Sequence, residues 1–401
     1  MGLNEVVSAD RVHIGFFGCR NAGKSSLVNA VTAQQLSVVS DTAGTTTDPV
    51  KKAMELLPIG PVVIVDTPGF DDTGSLGEQR VARTREVLRT IDVAVLVIDA
   101  ARGAHETDRE LLALFEERKL PYLIAWNKSD VGVPAVELAG IPVERQLSVS
   151  AKCGTGIHEL KEAIGALAKG AAEQVSLIGD KLKQGDLVVL VVPIDSAAPK
   201  GRLILPQQQT IRDILDADAR ALVVKETELA QTLEELRTPP ALVITDSQVF
   251  GKVMKIVPEE VRLTSFSILM ARKKGFLEMA VSGVAKLDEL KDGDRVLICE
   301  GCTHHRQCGD IGTQKLPNWL RNYTGKQLEL TFASGKAFSE HVGDYALVIH
   351  CGGCMLTERE VRSRMEQAAA QHIPVTNYGT AIAQMNGILR RSLEIFPELM
   401  K

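Results

Sequence analysis

Aromatic residues are scarce in this chain, at 4% of 401 residues. Base-stacking platforms for single-stranded nucleic acid depend on such rings, so that role is poorly served. A basic excess is missing as well. The net charge is −5, which argues against bulk binding to nucleic acid. No apolar run approaches the length that spans a membrane. The first residues, Met1 to Val6, carry neither the basic nor the apolar region of a secretory signal, and Val6 stands where a myristoylation signal has Ser or Thr. The expectation is a cytoplasmic protein with no membrane partner. Cysteine is rare, with seven in all. In a reducing compartment such thiols serve metal or redox chemistry rather than disulfides.

The composition that remains, 45% apolar and 24% charged, is that of a globular protein. At 401 residues the chain exceeds one ordinary core, and two or three domains are expected. We read an α/β protein of three domains: a nucleotide-binding domain over about 8–170, a small parallel α/β domain over about 175–262, and an α/β metal-binding domain over about 263–401.

In the first domain, Val12-His13-Ile14-Gly15-Phe16-Phe17 reads as a buried strand. Gly18-Cys19-Arg20-Asn21-Ala22-Gly23-Lys24-Ser25 follows at once, and Leu27, Val28 and Val31 then open a helix. Strand, glycine loop and helix in this order define a P-loop. Its backbone N–H groups curl around phosphate oxygens at a helix N-terminus. Gly18, Asn21, Ala22, Gly23, Lys24, Ser25 and Ser26 are the phosphate-side candidates. Lys24 bridges the outer phosphates and Ser25 ligates magnesium. Val62 to Val65 form a strand ending at Asp66, which can hold magnesium through water, and Gly69 can turn its N–H toward the γ-phosphate. Two further buried strands follow, the second running into Asn127-Lys128-Ser129-Asp130. An Asp at 130 accepts both N1–H and N2–H of guanine, which adenine cannot offer. Ser150-Ala151-Lys152 supplies a backbone contact to guanine O6. These ordered elements resemble the translation-factor-related GTPases, so the nucleotide is GTP. Gly44-Thr45-Thr46-Thr47-Asp48 resembles switch I of the Era-like and tRNA-modifying branch, with Thr46 on magnesium. Lys24, Thr46 and Gly69 are the catalytic candidates. Phe70 stands where a water-orienting Gln is found elsewhere, and a phenyl ring cannot position water. In that branch an Asn at the place of Asn21 works with a potassium ion, which implies potassium-stimulated hydrolysis. Cys19 and Cys153 are expected as small fillers.

The middle stretch alternates strands at 187–192, 221–225 and 241–246 with helical segments. It carries no phosphate loop or ligand cluster, and we read it as an assembly or dimerisation module.

Five of the seven cysteines and four of the eight histidines fall between 299 and 354. Cys299 sits inside a strand and reads as core. The strand at 295–299 delivers Cys302, and the strand at 344–349 delivers His350 and Cys351, to carboxyl ends where open α/β sheets bind ligands. Three ligand assignments compete. A structural zinc would take Cys302, His304, Cys351 and Cys354. A catalytic dithiol would use Cys351 and Cys354. An iron–sulfur cluster would use Cys302, Cys351 and Cys354, leaving a fourth place to His304, His350, Cys308, Asp310 or a foreign ligand. His305 and His341 read as ordinary polar residues.

A potassium-type GTPase joined to a middle α/β module and a C-x-H … H-C-x-x-C pattern resembles the GTPase maturation factors of FeFe-hydrogenase, the HydF family, over essentially the full chain. The resemblance implies a scaffold and carrier with a 4Fe–4S cluster on Cys302, Cys351 and Cys354. It implies GTP, magnesium and potassium as further cofactors, and a homodimer formed through the middle domain, with a tetramer as the larger alternative. Its implied partners are two radical-SAM maturation enzymes, which help to assemble a di-iron precursor, and the apo FeFe-hydrogenase that receives it. Some family members use an acidic fourth ligand just before the Asp-Ile-Gly that here is 310–312, where this chain has Gly309, with Cys308 one residue earlier. The rival reading is a potassium-type GTPase with a structural zinc, acting in tRNA modification or ribosome assembly.

Overall fold

Runs of Val, Ile and Leu buried on both faces make the central strands, as a parallel sheet covered by helices requires. The computed structural model describes residues 11–33, 50–57, 59–67, 84–132, 138, 140–171, 175–194, 203–301, 311–335, 338 and 342–400. The chain divides into two compact units, 1–173 and 174–401.

The first unit is built on six strands: β1 (Val12–Phe17), β2 (Val50–Leu56), β3 (Gly60–Asp66), β4 (Val93–Asp99), β5 (Tyr122–Asn127) and β6 (Gln146–Ser148). Their order is β2-β3-β1-β4-β5-β6, and only β2 runs antiparallel to its neighbour. Strand alternation sends Val93, Val95 and Val97 to one apolar core and Ala94, Leu96 and Ile98 to the other. Helices Lys24–Thr32 and Ile157–Ala171 cover the first face, through Leu27, Val31, Leu160 and Ile164. Helix Glu106–Glu117 covers the second, where Phe115 packs edge-on against Phe17 at 5.3 Å between ring centroids.

The second unit holds two four-stranded sheets. One contains β7 (Leu187–Val191), β8 (Arg220–Val224), β9 (Leu242–Thr245) and β10 (Leu263–Ser265), in the order β10-β9-β7-β8. The other contains β11 (Arg295–Glu300), β12 (Glu329–Ser334), β13 (Leu347–His350) and β14 (Val375–Asn377), in the order β12-β11-β13-β14. Every pairing in both sheets is parallel. The middle sheet extends past 262, because Leu263–Ser265 pairs with β9 and completes it. The middle and C-terminal domains keep separate sheets, as the three-domain reading expects, and pack as one compact unit on a shared apolar core running from Leu177 to Phe396.

Candidate functional site

In the first unit, β1 ends at Phe17 and the helix begins at Lys24, so residues 18–23 make the whole connection. Its path needs left-handed backbone. Gly18 has φ 138°, Asn21 φ 62° and Gly23 φ 89°. A Cβ on Gly18 would lie 2.2 Å from the Val97 carbonyl oxygen, and one on Gly23 would lie 2.3 Å from Asn127 Nδ2, so neither position has room for a side chain. The buried Lys24 ammonium donates to the Gly18 and Cys19 carbonyls, at 2.9 Å each, and is thereby held across the loop. Ser25, on the first turn of the helix, donates from Oγ to Asp66 Oδ2 at 2.8 Å. The other carboxylate oxygen, Asp66 Oδ1, is buried without a hydrogen-bond partner among the described residues. A hydroxyl beside an unsatisfied carboxylate oxygen fits a hydrated magnesium ion, with Ser25 as direct ligand and Asp66 reaching it through water.

The base-side residues converge on the same loop. Asn127, at the end of β5, donates to the Ala22 carbonyl at 3.0 Å and accepts from Ala151 N–H at 3.1 Å, tying the phosphate loop to the base loop. Lys128 has φ 65° and donates to the Asn21 carbonyl and to Asp99 Oδ2, both at 2.7 Å. Burial works against ionisation of Asp99, but hydrogen bonds from Lys128 and Ala101 N–H outweigh it and hold the carboxyl below its ordinary value. Asp130 stands exposed and accepts from Ser150 Oγ at 2.7 Å. That hydrogen bond lowers its pKa, with smaller help from Lys152 and Lys128. A charged acceptor held by a neighbouring hydroxyl is preorganised for paired N–H donors. Ser26 is half-buried on the helix, and Lys152 is exposed beside the base loop. Thr46, Gly69 and Phe70 lie outside the described residues. Cys19 donates to Asp108 Oδ1 at 3.4 Å. Cys153 is exposed, which corrects its reading as a packing filler.

In the second unit, the carboxyl ends of β11, β13 and β14 come into register, with Cys299 opposite His350 and His350 opposite Asn377. Cys299 is fully buried, and burial pushes its thiol up to about 12, so it is core. Cys351 leaves β13 directly above. Its Sγ accepts N–H from Gly301 at 3.0 Å and from Gly353 at 3.4 Å. Two N–H donors on one sulfur favour negative charge there, which suits a metal-bound thiolate. Cys351 and Cys354 are half-buried against the unit's core. The loop that carries them ends where Thr357 caps the helix Glu358–Ala370, accepting Glu360 N–H at 3.1 Å.

His350 is fully buried with both ring nitrogens engaged. Nδ1 lies 2.7 Å from the Cys351 carbonyl oxygen and Nε2 lies 3.2 Å from Arg364 Nη1. Burial, and then the Arg364 charge, push its pKa down to about 4. In this arrangement His350 braces the Cys351 backbone, and ligation would require it to give up one of these contacts. Arg364 itself is buried. It donates to the Gly335 carbonyl at 2.6 Å and pairs with Glu360 at 2.8 Å. Sequence reasoning missed Arg364; the only trace was a Glu four residues before an Arg in a helical stretch. Cys302, His304, His305, Cys308, Asp310 and His341 lie outside the described residues. Among the described residues no three His, Cys, Asp or Glu side chains gather into a metal site. Likewise, no described helix is long and apolar enough to cross a membrane.

Comparison with known proteins agrees with this division. Residues 13–128 match the model of the 50S ribosome-binding GTPase family. The tRNA modification GTPases MnmE of Aquifex aeolicus and Nitrosomonas europaea are each 34% identical, over 173 and 164 residues. Each match takes in 41% of this chain and 38% and 35% of the respective relative, so the chain spans under two-fifths of the curated relatives it matches. These matches are confined to the GTPase domain. Among solved structures, a probable GTP-binding protein engB is 25% identical, with 40% of this chain and all of that one covered, at a TM-score of 0.32. Era in complex with MgGDPNP and 16S ribosomal RNA is 17% identical, with 81% and 92% covered, at a TM-score of 0.35. Residues 177–275 match the hydrogen maturase F dimerization domain and residues 278–395 its tetramerization domain. These two models follow one another across the β7–β10 and β11–β14 sheets, behind a P-loop GTPase domain, and the chain belongs to the hydrogen maturase F family.

Proposed function

We propose that this hydrogenase-maturation GTPase is a scaffold and carrier, which holds a 4Fe–4S cluster on Cys302, Cys351 and Cys354 and delivers a di-iron precursor to apo FeFe-hydrogenase. The observation that carries the cluster assignment is the convergence of the Gly301 and Gly353 N–H groups on Cys351 Sγ. When bound, the cluster supplies an iron with a replaceable ligand, to which the precursor can attach. Cys351 and Cys354 offer thiolates from the β13 loop. The buried His350–Arg364–Glu360 chain keeps that loop in place.

GTP binds between the loop 18–25 and the Asn127–Asp130 and Ser150–Lys152 segments. Lys24 takes up the outer phosphates, and Asp130 selects guanine. Hydrolysis, with Thr46 and Gly69 at the γ-phosphate and potassium beside Asn21, gates the exchange of partners. Equal turnover in sodium and potassium would remove the potassium assignment. The partners are two radical-SAM maturation enzymes and the apo-hydrogenase.

The chain self-associates as a dimer, and further as a tetramer, through the modules its family models name. The exposed edge strand β8, with Val223 at 42% exposure, is consistent with that. Restriction of the MnmE matches to the GTPase domain weighs against tRNA modification.

The direct test loads the protein anaerobically with its iron sites and the di-iron precursor, then assays hydrogen evolution by an added apo-hydrogenase. Activation by the wild-type chain, and none by Cys351→Ala or Cys354→Ala, is expected. Equal activation by these variants would reject the cluster assignment.

A further inference from the structure

A cavity of about 580 Å³ opens in the second unit, away from the cysteine loop and independent of its assignment. It lies between residues of the two matched modules: Ser247, Gln248, Gly251 and Lys252 on one side, and Trp319, Asn322, Tyr323, Ile382, Met385 and Asn386 on the other. Ligand sites favour such junctions, and this volume is that of a small-molecule pocket. The Ser247–Lys252 segment follows the carboxyl end of β9, the end of a parallel sheet at which ligands bind.

Its walls divide by chemistry. Trp319, Ile382 and Met385 give a flat apolar side. The Tyr323 ring extends it and is fixed from behind, since its hydroxyl donates to Asp288 Oδ1 at 2.6 Å. Opposite stand polar groups with capacity to spare. Ser247, 6% exposed, closes this side of the cavity. Gln248 Oε1 accepts from Lys315 Nζ at 3.0 Å, which leaves the Gln248 NH₂ to donate. Lys252 is exposed at the mouth, with no acidic partner among the described residues. The nearby Asp288 is taken by Tyr323 and Gln384.

We infer that this cavity is a binding site for a small organic anion with a planar apolar body, its ring against Trp319 and its charge at Lys252. The test uses the full chain, with GDP saturating the nucleotide site, and 8-anilinonaphthalene-1-sulfonate as probe. Its uncharged parent, N-phenyl-1-naphthylamine, is the control. The expected result is saturable one-to-one binding, with energy transfer from tryptophan that falls in Trp319→Phe and is unchanged in Trp126→Phe. Lys252→Glu weakens affinity by about tenfold, the value of one charge-assisted hydrogen bond. Asn322→Trp, at an exposed helix position, blocks the cavity without touching the core. Equal affinity for the uncharged parent would overturn the inference. So would unchanged binding in Lys252→Glu and Asn322→Trp together. Affinity that falls as protein concentration rises would also overturn it, by assigning the cavity to contact between copies of the chain.

Discussion

Replacing Asp130 by Asn isolates the base-recognition chemistry from everything else in the nucleotide site. The carboxylate is exposed and accepts from Ser150 Oγ at 2.7 Å, a hydrogen bond that holds its pKa below the ordinary aspartate value. Toward guanine it offers two charged acceptor positions, one for N1–H and one for N2–H. An amide keeps one neutral acceptor and turns an NH₂ toward the other donor. One charge-assisted hydrogen bond is lost and the other weakened, a loss on the order of 100-fold in affinity. The same NH₂ suits xanthine, whose C2 carries a carbonyl oxygen, so part of the loss returns with xanthosine triphosphate. The assay is competitive displacement of a fluorescent GTP analogue by GTP, ATP and xanthosine triphosphate. A GTP affinity within about threefold of wild type, with no gain for xanthosine triphosphate, would refute the assignment of Asp130.

Three further outcomes are expected. Lys24→Ala loses GTP hydrolysis yet keeps wild-type iron content after reconstitution, because the cysteine loop belongs to the other compact unit; parallel phosphate-release and iron assays check this, and a joint loss would contradict it. Arg364→Met strips a buried guanidinium from Glu360, Gly335 and His350 and strands the Glu360 charge, costing about 3 kcal/mol or more in urea denaturation; a change under about 1 kcal/mol would show that the network is dispensable. Asp180→Asn tests a pH dependence. The hydrogen bond from Arg272 lowers the Asp180 pKa, so the stabilisation is present at and above the ordinary aspartate range and fades as pH falls through the lower folded-state value. With the Asp180 side chain 43% exposed the gain stays under about 1 kcal/mol. The variant's urea midpoint therefore lies below wild type at pH about 7 and meets it in acid; a gap that widens in acid would reverse the sign.

Much of the first unit was legible because its chemistry is local. A buried strand, a loop that needs glycine where Val97 O and Asn127 Nδ2 crowd it, and a helix starting at Lys24 are contiguous in sequence. The strand ends at Asp66 and Asn127 fell where apolar runs stop. What escaped depended on tertiary contact. Leu263–Ser265 is only three residues long, and nothing local says that it pairs with β9. Strand β12 escaped as well, since Glu329–Ser334 is half-exposed and mixes charged with apolar residues. Arg364 looked like a solvated helix residue, and its burial is set by His350 arriving from β13. The two hydrogen bonds by which Lys128 ties down the phosphate loop, to Asn21 and Asp99, likewise join residues from separate strands and loops. Ligand crowding named Cys351 and Cys354, and the glycine pair between them, which lets backbone N–H groups approach sulfur, made the Gly353 contact legible too; the Gly301 N–H escaped, because it reaches the Cys351 sulfur from the end of β11.

The central claim is that Cys302, Cys351 and Cys354 hold a 4Fe–4S cluster. Low-temperature electron paramagnetic resonance on anaerobically reconstituted, dithionite-reduced protein tests it most directly. The account predicts a half-spin signal of 4Fe–4S type that is lost in Cys351→Ala and Cys354→Ala. A silent protein carrying stoichiometric zinc would contradict it, and would return the cysteine loop to a structural role.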